Sequence, residues 1–252
     1  MNKFKQILVT ATCGAFVMST VAWAETRQVD QFDEVKYALP FDVEFIADDE
    51  SYVTLEGDQD TIDEIKTKVS GGKLKFSKDS GWFDWSDGDV DITIHYEELS
   101  SITMAGSGDG YADEIQTNEM TIRIAGSADL EIDSLECNDL DISISGSGGV
   151  KLNEVDADSI STSIAGSGNT ELDGSVVSQK VTVSGSGNYN AKGLRSQEAE
   201  IKIVGSGNAE VWSLASLEAT VMGSGDIDYY GDPTLSKTVH GSGNIEHKGD
   251  EP

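Results

Sequence analysis

The residues most suited to chemistry lie together in the stretch Ser80-Gly81-Trp82-Phe83-Asp84-Trp85-Ser86-Asp87-Gly88-Asp89-Val90-Asp91. Exposed indole rings stack on sugar rings, while carboxylates accept hydroxyl hydrogen bonds or coordinate Ca²⁺ through oxygen. Trp82, Trp85, Asp84, Asp87, Asp89 and Asp91 therefore form the candidate ligand-binding set. The structural alternative is that the two tryptophans seal the end of a core and the aspartates occupy turns.

A second set is the series Asp109, Asp129, Asn169, Asn188, Asn208, Asp226 and Asn244, which could hold cations along an edge. It differs from the nine-residue calcium β-roll pattern, and most of its members are neutral Asn. Turn chemistry is the stronger reading, because both residue types bond to nearby main chain. Ca²⁺ is the one cofactor these residues could take, and the pattern implies no metal centre. His240 and His247 lack a third ligand for one, and His95 sits in a predicted strand without visible chemistry. Cys137 is expected to be a buried structural thiol, given its small, partly apolar counterparts in neighbouring repeats. There is no nucleophile–base arrangement, nucleotide-binding loop or zinc motif. A carbohydrate-active enzyme, lyase or hydrolase, would need carboxylates paired across a groove or a base with Ca²⁺. No insertion of the kind that builds such a groove is present, so catalysis is the minority expectation.

The elements that position these residues follow from a repeat. Gly106, Gly126, Gly146, Gly166, Gly185, Gly205, Gly223 and Gly241 each open a Gly-Ser-Gly or Gly-Ser-Ala turn, at spacings of 20, 20, 20, 19, 20, 18 and 18 residues. Glycine at such a turn permits positive φ or close backbone approach. Two residues before each glycine stand Met104, Ile124, Ile144, Ile164, Val183, Ile203, Val221 and Val239. Four before stand Ile102, Ile122, Ile142, Thr162, Val181, Ile201, Ala219 and Lys237, so this column loses its apolar character toward the C-terminus. Apolar and polar residues alternate, and β-branched types dominate, as in strands with one buried face. Single strands of this kind cannot bury that face alone, whereas stacked coils can. The predicted fold is all-β: a right-handed parallel β-helix of about eight coils of 18–20 residues over 98–252. Residues 25–97 are expected to form a continuous β-rich cap with one short helix over Thr61–Val69, started by Asp60 or Thr61.

Lys3 and Lys5, the apolar run Ile7–Met18 and Ala22-Trp23-Ala24 have the form of a secretory signal peptide, so residues 1–24 are expected to be removed. The apolar stretch is too short to span a bilayer comfortably, so no transmembrane segment is expected after cleavage. The sequence implies an extracytoplasmic protein, in the bacterial periplasm or at the cell surface. The whole chain carries a formal charge of −29, which argues against nucleic acid and anionic lipid as partners. A glycan or an envelope protein could be bound, and an oligomer could form.

Val29 to Phe41, Gly72-Lys73-Leu74, Val90-Asp91-Ile92-Thr93-Ile94 and Leu99-Ser100-Ser101-Ile102, followed by serial Gly-Ser-Gly-Asp/Asn, resemble the head GIN domain family of auto-transporter adhesins. The resemblance covers nearly all of the chain after residue 24. It implies a β-helix outside the cytoplasm and a binding or adhesion role. A structural role in the envelope is the non-binding alternative.

Overall fold

The computed structural model describes residues 23–78 and 88–252. The first half of the order is β1 (Trp23–Gln28), β2 (Glu34–Tyr37), β3 (Val43–Ala47), β4 (Tyr52–Gly57), α1 (Gln59–Glu64), β5 (Ile65–Ser70), β6 (Lys73–Lys78) and β7 (Val90–Tyr96). The repeats follow as β8 (Ser101–Met104), β9 (Gly110–Gln116), β10 (Glu119–Ile124), β11 (Asp129–Gly146), β12 (Gly149–Gly166), β13 (Asn169–Gly185), β14 (Asn188–Gly205) and β15 (Asn208–Gly223). The chain closes with β16 (Ile227–Tyr230), β17 (Thr234–Gly241) and β18 (Ile245–Gly249).

The repeats form a β-solenoid of about 7 turns. Eight glycine corners bound seven intervals, which is why the turn number falls one below the motif count. Each coil lies parallel on the next, with like residues over like: Ile122 pairs with Ile142, Ile142 with Thr162, and Thr162 with Val181. Within β11 the buried residues run Leu130, Ile132, then Leu135, Cys137, then Leu140, Ile142, Ile144. The alternation changes phase at Asp133-Ser134 and at Asn138-Asp139. Together with Gly146-Ser147-Gly148 these breaks divide the coil into three faces around one apolar interior.

The glycine corner is held by main chain. Ser206 donates its N–H to Gly185 O at 2.8 Å, and Ser224 donates to Gly205 O at 2.8 Å. Gly205 has φ +133°, and a Cβ there would lie 2.2 Å from Gly185 O. Any side chain at this point would be both strained and obstructed by the coil below.

The first coil of the stack is threaded out of order. β2 pairs in parallel with both β6 and β8, and β3 with both β7 and β9. Residues 33–47 are thus sandwiched between the coil of β6 and β7 on one side and the first repeat on the other. Their corner is Leu39-Pro40-Phe41, where Gly108 N–H reaches Leu39 O at 3.3 Å. Outside this layer the strand direction reverses: β4 lies antiparallel on β7, β5 on β6, and β1 on β4. The helix is shorter than the sequence pattern suggests, with Asp58 as its N-cap accepting from Thr61 N–H at 3.0 Å. Ile65, Thr67 and Val69 alternate with Lys66 and Lys68, and this period of two with β-branched residues makes a strand of that segment.

Candidate functional site

Of the aromatic and acidic set, Trp82, Asp84, Trp85 and Asp87 lie outside the described residues. Asp89 serves the backbone: its carbonyl accepts from Asp58 N–H at 3.1 Å. Gly57 passes so close that a Cβ there would stand 2.2 Å from the same oxygen. Asp91 is exposed in β7 opposite Glu56. It shares a shallow depression of about 600 Å³ with Asp42, Glu44, Asp109, Asp129 and Glu131.

The Asp/Asn series along the corner is a hydrogen-bonded staple from coil to coil. Asp42 Oδ1 accepts from Asp109 N–H, and Asp109 Oδ1 from Asp129 N–H, each at 2.8 Å. Asn188 donates to Asn169 Oδ1 at 2.9 Å and Asn208 to Asn188 Oδ1 at 3.2 Å. Farther along, Asp226 N–H reaches Asn208 Oδ1 at 3.1 Å, and Asn244 N–H reaches Asp226 Oδ1 at 2.7 Å. Asp42, Asp109, Asn169, Asn188, Asn208 and Asp226 each satisfy a donor of the next coil in this way, and the series is interrupted where Gly149 N–H turns to Ala128 O instead. Among the described residues no group of three His, Cys, Asp or Glu is placed to hold a metal.

The first face carries a network that motif reading missed. Tyr111 places its hydroxyl between Asp113, at 2.5 Å, and Asp133, at 2.7 Å. Asn153 donates to Asp133 at 2.7 Å and to Glu131 at 3.0 Å, and Lys151 donates to Glu131 at 2.7 Å. The hydrogen bond to Asp113, followed by that to Asp133, pushes the Tyr111 hydroxyl far above its ordinary range. Hydrogen bonds, from Tyr111 first to Asp133 and from Lys151 first to Glu131, hold these two carboxyls below theirs. The signal for this network is the repeat itself, since residues about 20 apart become lateral neighbours. Among the described residues, every carboxyl whose titration is displaced (Asp48, Asp58, Glu131, Asp133) is pushed down. A general acid at neutral pH needs the opposite shift.

Cys137 is buried in a column with Ala157 and Val176, and burial pushes its thiol up to about 11. Such a thiol is a weak nucleophile. His95 stacks on Tyr52, ring centroids 3.9 Å apart, and its Nδ1 lies 3.2 Å from Asp48 Oδ2. His247 packs against Tyr229, whereas His240 is exposed on the glycine edge.

A family described as "Putative auto-transporter adhesin, head GIN domain" matches residues 31–153 and 138–233. This chain belongs to that family. Solved structures share the fold over nearly their whole length. A "putative lipid binding protein" from Parabacteroides distasonis is 29% identical, with a TM-score of 0.85 over 90% of this chain and 96% of its own. A "putative adhesin" from Parabacteroides merdae is 21% identical, with a TM-score of 0.86 over 90% and 96%. A second from Parabacteroides distasonis is 22% identical, with a TM-score of 0.85 over 90% and 97%. No curated protein matches the chain. Membership of this family implies adhesion-type binding to an external partner at an extracellular or surface location. No helix among the described residues is long and apolar enough to cross a membrane.

Proposed function

We propose that this chain is a non-catalytic binding module that engages a glycan or another cell-envelope component with the side faces of its coils. The observation that carries this reading is the family match over residues 31–233, mapped onto a solenoid whose long faces are flat and polar.

Export with cleavage after Ala24 belongs to the same proposal. Trp23 is 53% exposed, and removal through Ala24 would leave Glu25–Gln28 paired with β4. N-terminal sequencing of exported protein is expected to begin at Glu25, and a start elsewhere would refute the cleavage site. The candidate set at 82–91 remains part of the proposal, with Asp89 and Asp91 as its described, solvent-facing members.

The function is tested by retention of residues 25–252 on an array of glycans and envelope polysaccharides, with and without Ca²⁺. Selective retention is the expected result. Failure to retain any polymer would shift the role to structure or to a protein partner. The name of the relative from Parabacteroides distasonis makes lipid-linked polymers a necessary part of that array.

A further inference from the structure

Net charge conceals a local exception. Lys68 in β5 stands opposite Lys75 in β6, Lys75 stands beside Lys36 in β2, and Lys36 stands beside Thr103 in β8. Thr103 is followed in the same row by Arg123 of β10, then Ser143 and Ser163. The row continues through Thr182, Lys202, Thr220 and Thr238. In a chain with 46 acidic residues, this row runs the length of the stack on the third face without one carboxylate. Lys36, Lys68, Lys75 and Arg123 are exposed, and among the described residues none of the four forms an ion pair. At about 4.8 Å per strand, the four cations span about 19 Å.

Stability does not explain the row. Like charges directly opposite on neighbouring strands are unfavourable, and Lys68, Lys75 and Lys36 are three in succession. Lysine on an edge strand deters aggregation, which accounts for Lys68 but not for Lys75, Lys36 or Arg123 on internal strands. The flanking row on the glycine side is smooth, with Ala105, Ala125, Ser145, Ala165 and Ser184, so an extended chain can approach closely. On the other flank lie Glu34, Asp141, Glu200 and Glu218, with Lys73 paired to Glu34 and Lys180 to Glu200. A planar anionic membrane would have to meet those acids as well, whereas a single strand laid along the row would not.

We propose that this row is the docking track for a linear polyanionic polysaccharide, with Lys36, Lys68, Lys75 and Arg123 as the anion contacts and the Ser/Thr hydroxyls as neutral ones. The proposal rests on the glycan-binding reading above and specifies its ligand class. The probes are polygalacturonate, heparin, neutral dextran and vesicles containing anionic phospholipid, each titrated against the chain from residue 25 to 252. The test variant is Lys36→Gln/Lys75→Gln/Arg123→Gln. The control is Lys151→Gln/Lys192→Gln/Lys248→Gln, which removes the same charge from cations paired on other rows.

Polygalacturonate or heparin is expected to bind the parent chain, and affinity should fall about tenfold between 50 and 200 mM salt, as for two to three released counterions. The test variant should lose about tenfold in affinity, the scale of three exposed ion contacts. Its melting temperature should stay the same or rise, and the control should change less than twofold. Equal losses in the two variants, or binding to vesicles and to neither polymer, would overturn the proposal. Retention of neutral envelope glycans alone would also overturn it while leaving the glycan-binding function standing. Retention of nothing would remove both.

Discussion

The two ends of the solenoid are finished in different ways. At the N-terminal end the strand direction changes: β4 and β5 run antiparallel to the last parallel layer, and Val53, Leu55 and Ile62 are completely buried beneath them. Arg27 adds a brace, donating to Ile65 O at 2.5 Å and to Ile62 O at 3.0 Å, where the short helix ends. At the C-terminal end the strand direction is kept and the residues change. Ala219 is followed in its column by Lys237, and Tyr229 by His247. Val239 is 40% exposed, and β17 and β18 each pair on one side only. A capped end protects its edge by geometry, whereas this end protects it by placing charge where the next apolar layer would dock. Between the two ends, the side faces of the coils are the longest surfaces of the stack.

The largest difference along the stack is expected at a glycine. Gly205→Ala, inside the stack, should cost about 4 kcal/mol from backbone strain and overlap with Gly185 O. Gly249→Ala at the open end meets nothing closer than Glu251 O at 3.5 Å, and should cost about 1 kcal/mol. Denaturant midpoints of the two variants measure the difference. Next in size is the core. Leu55→Ala under the cap should lose about 3 kcal/mol, and the equivalent truncation of partly buried Leu235 in β17 less than about 1 kcal/mol. Hydrogen exchange should follow the same order, with β17 and β18 opening before β4 and β7.

Lys237→Leu sharpens the contrast without weakening the fold. It should leave the melting temperature nearly unchanged and produce concentration-dependent association by sedimentation velocity. A strictly monomeric variant would show that charge is not what guards this end. The smallest effect is on the cap surface, where the Tyr52 hydrogen bond, first among its causes, holds the Asp48 carboxyl below its ordinary range. The associated stabilisation is complete above a pH of about 4 and is lost as the pH falls through the lowered value. Asp48→Asn should lower neutral-pH stability slightly and leave stability in acid unchanged, which flattens that limb.

Much of this architecture was legible in the residues. The constant glycine spacing and the columns of Ile and Val determine which side chains stack, and the Gly-Ser-Gly signature with its flanks reveals the family. The threading at the N-terminus was not legible. Val35 pairs with Ile102 across 67 positions, and Leu39-Pro40-Phe41 turns the corner without a glycine, so no 20-residue period marks it. The sequence pattern overextends the helix because Ile62, Ile65 and Val69 match a helical stripe as well as they match a strand. Asp91 and the Asp/Asn ladder could be named from sequence. The Tyr111 network follows from the 20-residue period once coils are stacked, whereas the basic row does not, because Lys36, Lys68 and Lys75 lie before the repeat and meet only once the register is known. Net charge pointed away from anionic partners, since it averages Lys36, Lys68, Lys75 and Arg123 with acids that face elsewhere.

In the proposed function the chain binds a polymer along its coils and leaves it intact. The most direct measurement incubates residues 25–252 with envelope polysaccharide and follows retention and new reducing ends in the same samples. Saturable retention with no release of ends is the expected result. Progressive release of ends, abolished by one aspartate substitution, would contradict it and make the protein an enzyme.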